Sequence, residues 1–215
     1  EPEIGYYQTG DPWVIKRHCR QLTEMGVDVI FFDVTNGFVY EPAYLAICKE
    51  FTELRAKGES TPQVAFMSWA GGARTVNTLF DNFYSKELYK PLWFMWKGKP
   101  LLLAQNNGLS QTIKDFFTLR ECWAWNGGQK KDYWTWLDNP PQGVCWSEPG
   151  EKEEMSVSVG HHATTNKGRS YHNGIQPSPD NVQPEIAPNY TEQWKRALEV
   201  DPKLVFVTGY NEWVA

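Results

Sequence analysis

Val27 to Thr35 reads VDVIFFDVT, a run of β-branched and aromatic residues broken only by Asp28 and Asp33. Near-continuous apolar character over so few residues is the pattern of a parallel strand buried on both faces. Upstream, Asp11-Pro12 supplies an N-cap followed by proline at the first helical position. Val14, His18, Leu22 and Met25 then recur at helical spacing until Gly26. Downstream, a second helix is predicted over about Glu41 to Lys57, ending at Gly58. The unit is therefore helix, buried strand, helix.

That alternation continues. Strands are predicted at Gln63–Trp69, Pro100–Gln105, Phe116–Trp123, Met155–Gly160 and Leu204–Gly209, and helices near Thr75–Tyr89, Ser110–Lys114 and Tyr190–Val200. Strands joined mostly by helical crossovers give a parallel α/β fold. A (β/α)8 TIM barrel typically takes about 250 residues; six strands in 215 residues match a partial barrel of about six βα units, trimmed at each end. An open doubly wound sheet shares the alternation. The barrel is favoured because no G-x-G-x-x-G or G-x-x-x-x-G-K-[ST] loop follows any strand, while polar and aromatic residues collect past the strand C-termini, where a barrel keeps its site. Residues 1–215 are read as one barrel domain excised from a longer protein, since the chain opens on Glu1-Pro2-Glu3 and stops at Ala215.

Composition narrows the function. Lys and Arg number 21 against 26 Asp and Glu, a net charge of -5 with no basic run, so nucleic acid is not an expected partner. No apolar stretch approaches the roughly 20 residues of a membrane span. With 41% hydrophobic residues the chain can build a core, but 11 Trp beside 10 Tyr and 11 Phe exceed what that core needs, so some rings should face a ligand. Cys19, Cys48, Cys122 and Cys145 share no C-x-x-C spacing and read as buried thiols rather than a zinc site.

The predicted strand ends carry Asp33-Val34-Thr35-Asn36-Gly37, Ser68-Trp69-Ala70-Gly71-Gly72, Gln105-Asn106-Asn107-Gly108, Trp123-Ala124-Trp125-Asn126-Gly127, His161-His162 and Tyr210-Asn211-Glu212-Trp213. Amides and carboxylates bond paired hydroxyls, and indole faces pack on the C–H side of a pyranose, so the set suits a sugar. Glu212, flanked by Asn211 and Trp213, is the candidate general acid or base. Asp33 is the candidate second carboxylate, its other role being a bond to the amides of its own loop. Glu121, in a strand, and Glu148, in a long loop, are weaker candidates. Trp69, Trp125 and Trp213 would stack on sugar rings, Gln105, Asn106, Asn211, His161 and Tyr210 would meet hydroxyls, and Arg169 in the GRSYHNG loop would stand at the rim. Adjacent His161 and His162 point to opposite faces of a strand and make a poor metal pair, so no metal or other cofactor is expected.

The ending Thr208-Gly209-Tyr210-Asn211-Glu212-Trp213 resembles the catalytic strand end of glycoside hydrolase families 71 and 99. The opening YYQTGDPWVIKRH, the run GVDVIFFDVTN and the segment His161 to Gly174 look like glycosidase-like proteins related to them, of the bacterial polysaccharide-degrading type. The resemblance implies a (β/α)8 fold, action on α-linked glucans or mannans, and a periplasmic, cell-surface or secreted location. Glu212 matches the first motif glutamate; the second, three residues on in family 99, is Ala215 here. The expectation is a glycoside hydrolase acting through carboxylates at the strand ends. The alternatives are a sugar-binding barrel that has lost one carboxylate, and a metal-dependent hydrolase using His161 or His162 with Asp33 or Glu121.

Overall fold

The computed structural model describes residues 4–160 and 167–210. The chain divides into two compact units, Glu1–Arg120 and Glu121–Ala215. The first contains α1 (Pro12–Glu24), β1 (Val29–Val34), α2 (Glu41–Ala56), β2 (Gln63–Ser68), α3 (Ala73–Leu79), β3 (Met95–Trp96), β4 (Lys99–Leu103), α4 (Gln111–Phe116) and the start of β5 (Thr118–Cys122). β1, β2, β4 and β5 lie side by side and parallel, with Phe32 opposite Phe66, Phe66 opposite Leu102 and Leu102 opposite Leu119. α1 starts as expected, with the Asp11 carboxylate accepting from the Trp13 and Val14 N–H groups.

Burial falls on a different strand from the one the sequence points to. Val64 to Ser68 of β2 and Leu101 to Leu103 of β4 are buried, whereas Val29 to Phe32 of β1 are half-buried and Asp33 is exposed. Among the described residues β1 pairs on one side only, with β2, so its apolar side chains are covered from fewer directions. Phe66 is the centre of the packing: Phe32, Tyr44, Phe83 and Tyr84 surround it with ring centroids 5.1–6.0 Å away. The helix predicted to Tyr89 instead widens into a π-helical turn at Phe80–Tyr84. That turn carries both Phe83 and Tyr84 into the core, where consecutive residues of a regular α-helix would diverge by about 100°. β3, absent from the sequence reading, is a two-residue strand folded back onto β4 through Lys97 and Gly98, both at positive φ.

The second unit holds the end of β5, β6 (Tyr133–Trp134), β7 (Glu154–Ser158), α5 (Pro188–Val200) and β8 (Leu204–Thr208). Glu121 and Cys122 of β5 pair with β6, and β7 pairs in parallel with β8 along its full length. Among the described residues the other edge of β7 is closed by the Cys145 backbone and two glutamine side chains rather than by a strand. Residues 154, 156 and 158 present backbone groups to the same edge. Cys145 N–H donates to the Glu154 carbonyl at 2.8 Å, Gln142 Nε2 donates to Ser156 O at 3.0 Å, and the Gln193 amide both accepts from Ser158 N–H and donates to Ser158 O at 3.0 Å. Every one of these partners is buried, so the amides replace a strand where water cannot. α5 covers β7 with Ala197, Tyr190 and Trp194 packed on Met155 and Val157.

All four cysteines are buried free thiols. Burial pushes the Cys19 thiol up to about 11 and that of Cys48 to about 12, far from nucleophilic use. Glu154 is fully buried, accepts from Thr135 N–H at 3.1 Å and lies against the Cys145 thiol; burial pushes its carboxyl up to about 8. It opens β7, so about 13 Å of strand separates it from the C-terminal end, and its role is structural. An unfolded glutamate near 4.5 releases a proton that the folded protein keeps until about 8. Stability is therefore fully present below about pH 4.5 and declines as pH rises to about 8, by at most about 1.4 kcal/mol per pH unit. Glu154→Gln should flatten the melting-temperature profile between pH 5 and 8 and melt above the parent at pH 8; parallel profiles in thermal melts would contradict this.

Candidate functional site

In the first unit the site is built from loops that leave parallel strands at the same edge. Ala70 N–H donates to Thr35 O at 2.7 Å, joining the loop after β1 to the loop after β2. Gly37, at φ +87°, lies so near Ala70 that a Cβ would stand 3.3 Å from its carbonyl oxygen. The β2 loop turns into α3 with Thr75 Oγ1 donating to Ala70 O at 3.0 Å. Gly108, in the loop after β4, comes within 3.4 Å of Ala73 by the same measure. The three loops thus pack on one another, and what they present is held in place.

They bring together four of the residues singled out by the sequence. Asp33 is exposed, and its Oδ1 accepts from Thr35 N–H at 2.8 Å, an Asx-type turn that orients the carboxylate at the strand end. Trp69 is half-buried directly after β2, and Gln105 and Asn106 follow β4 with increasing exposure. Sequence reasoning passed over Phe38 and Tyr40, exposed rings 6.4 Å apart in the loop after β1. Tyr40 holds a left-handed backbone at φ +50° while Asn36 Nδ2 donates to its phenol oxygen at 2.5 Å. Strain of this kind costs about 1–3 kcal/mol and is commonest where a side chain must be aimed. The sequence signal was present: aromatic residues in a loop, past a strand end.

The second unit has its own set. Trp125, half-buried and at φ +60°, donates its N–H to Leu137 O at 2.7 Å and offers its carbonyl to Gln129. Beyond β6 stand Trp136 and Asp138. Thr208 Oγ1 donates to Trp136 O at 2.9 Å, placing the end of β8 beside the residues past β6. Trp123 meets the Trp136 ring edge-on at 6.2 Å. The Trp136 indole N–H is buried and pairs with no described group, a donor of the kind a ligand hydroxyl accepts from. Asp138 is buried, and burial raises its carboxyl, opposed by the N–H groups of Gly143 and Asn139 that bond it at 2.8 and 2.9 Å. It packs so tightly on Gly127 that a Cβ there would fall 2.0 Å from Asp138 Oδ2. Asp138 therefore clamps the Trp125 loop. Trp136 and Asp138 both lie in the stretch Asn126–Glu154, whose Gly, Pro and Asn content reads as loop and hides the two-residue strand β6.

The remaining candidates are separate. Tyr210 is exposed just past β8. Arg169 is exposed, and its carbonyl accepts from Asn189 N–H at 3.1 Å near the start of α5. Lys167 bonds the Asn139 side chain and lies 5.5 Å over the Tyr171 ring. Glu121 faces its ladder partner Tyr133, whose phenol bonds it, and Glu148 is exposed in an ion pair with Lys131 at 3.2 Å. His161, His162, Asn211, Glu212, Trp213 and Ala215 lie outside the described residues. Among the described residues, no group of three or more His, Cys, Asp or Glu side chains could hold a metal ion, and no helix is long and apolar enough to cross a membrane.

No family model and no curated protein matches this chain. Among solved structures it is similar to a glycoside hydrolase family 99 (GH99) endo-α-mannosidase from Bacteroides thetaiotaomicron, determined with bis-tris propane, with a TM-score of 0.60 and 16% identity over 99% of this chain and 75% of that one. That likeness, with parallel strands joined by helical crossovers, makes the fold an α/β fold of the (β/α)-barrel type, present as a partial set of βα units.

Proposed function

We propose that this protein is a glycoside hydrolase acting on an α-linked oligo- or polysaccharide, with its chemistry at the strand C-terminal ends. The observation that carries the reading is the concentration there of rings and hydroxyl-reading groups: Asp33, Trp69, Gln105 and Asn106 on interlocked loops of the first unit, and Trp125, Trp136 and Tyr210 in the second. The GH99 fold likeness supports the same class. Glu212 is the proposed general acid or base. The Asx turn favours Asp33 as a hydroxyl anchor, because one oxygen already serves its own loop. His161, Asn211 and Trp213 complete the proposed sugar contacts, with Arg169 at the rim. The proposed setting is bacterial polysaccharide degradation in the periplasm, at the cell surface or after secretion, where polymers are met.

A second reading is a sugar-binding barrel without turnover; Ala215, at the place of the second motif glutamate, favours it. Assays of reducing-end release from α-mannan and α-glucan separate the two. The hydrolase reading predicts release by the parent and a loss of about 10³-fold or more in Glu212→Gln, with affinity retained. Retained activity in that variant removes Glu212 from catalysis, and binding without release by the parent establishes the second reading. Asp33→Asn should weaken oligosaccharide affinity about tenfold, as expected for one charge-assisted hydrogen bond. A fall of about 10³-fold in turnover at unchanged affinity would instead make Asp33 the second catalytic carboxylate.

A further inference from the structure

Exposed aromatic rings are not scattered over the first unit. Among its described residues they are Tyr6, Tyr7 and Trp13 around the start of α1, and Phe38 and Tyr40 before α2. β1 and β2 are parallel, so α2 must run back between them and begins at the C-terminal end of β1. α1 packs on α2 and reaches β1 through the short turn of residues 25–28, so it begins at that end too. Exposed large apolar residues at the other end of α1 are of another kind, with Met25 just past its last turn. Keeping large rings in water forfeits the burial that would otherwise stabilise the fold, so their confinement to one end points to a ligand.

We propose that the cleft beside Tyr6, Tyr7 and Trp13 binds a neutral polysaccharide chain outside the strand-end site; the inference rests on the carbohydrate reading above. The cleft is an open groove of about 520 Å³, and Gln8 and Asp11 line it with the three rings. Tyr6 is 91% exposed and Trp13 60%. The platform is braced from behind. Asp11 Oδ1 pins the Trp13 N–H at 2.8 Å, the Arg17 guanidinium lies 5.7 Å over the indole, and Tyr7 stands edge-on to His18 at 5.5 Å. Flat rings with an amide and a carboxylate between them match a pyranose, whose C–H faces stack and whose hydroxyls bond laterally. The Asp11 carboxylate in the lining and the Arg17 guanidinium against Trp13 offset one another, which suits a neutral chain. None of Asp33, Trp69, Gln105 and Asn106 lines this cleft, so its work is to hold polymer rather than to cleave it.

The test is affinity electrophoresis through gels containing α-mannan or α-glucan, beside turnover of a short oligosaccharide. Trp13→Ala/Tyr6→Ala should weaken retardation by the polymer about tenfold, while short-oligosaccharide turnover stays within about twofold of the parent. Tyr6→Ala alone, at the most exposed position, carries the test if the double variant does not fold. Undiminished retardation overturns the inference and leaves the hydrolase reading intact. Equal loss of polymer retardation and short-substrate turnover also overturns it, because the cleft would then belong to the reaction site. A parent protein that neither binds nor cleaves these polymers overturns both readings.

Discussion

Phe66 stands at the middle of the first unit, and the order of everything above it depends on that ring. It is fully buried, with Tyr44 from α2 and Phe83 and Tyr84 from the π-helical turn set edge-on around it. Edge-to-face pairs add about 0.5–1.5 kcal/mol each beyond the area they bury. The same cluster continues through Tyr84 to Trp93 and Phe117, at 4.9 and 4.7 Å. β2, α2, the π-helical turn and the segments that lead into β3 and β5 are thereby tied to one point. Three residues beyond Phe66 the chain leaves the core at Trp69. A rigid strand that ends in an indole presents that indole at a defined place.

The second unit solves a different problem. β7 is buried along its whole length but, among the described residues, has a strand on one side only, so its other edge needs partners that water cannot supply. Gln142, Gln193 and Cys145 provide them, and Arg196 Nε in turn bonds Gln142 O at 2.9 Å. Glu154 belongs to this frame. Its raised carboxyl, set by burial at the start of a strand, distinguishes a residue perturbed by packing from one perturbed for chemistry. Asp138, beyond the end of β6, is the corresponding device at the functional end, trading its carboxylate for a fixed Trp125 loop.

The sequence was most legible where many residues repeat one pattern. All six predicted strands and the Asp11 cap are present, because apolar runs and a capping residue act locally. The apolar content of Val29 to Val34 misled about burial, since composition does not say how many neighbours a strand has. Two-residue strands such as β3 and β6 carry no period at all. The strand-end positions of Asp33, Trp69, Gln105 and Asn106 were legible because each follows or closes a strand long enough to show its pattern. Trp136 and Asp138 were missed because their strand was invisible, and the buried glutamines because nothing in a sequence marks which amide will cap an edge.

The central claim is that rings at the strand C-terminal ends, not those of the core, meet the sugar. Indole N–H resonances of the 11 tryptophans, followed during titration with α-linked manno- and gluco-oligosaccharides, test it directly. Trp93 and Trp134 serve as internal references, their N–H groups being committed to Leu88 O and to the Glu153 carboxylate at 2.9 and 2.8 Å. The account predicts saturable shifts at Trp69, Trp125 and Trp136 with Trp93 and Trp134 unmoved. Shifts confined to Trp93 and Trp134, or none with either series, would contradict it.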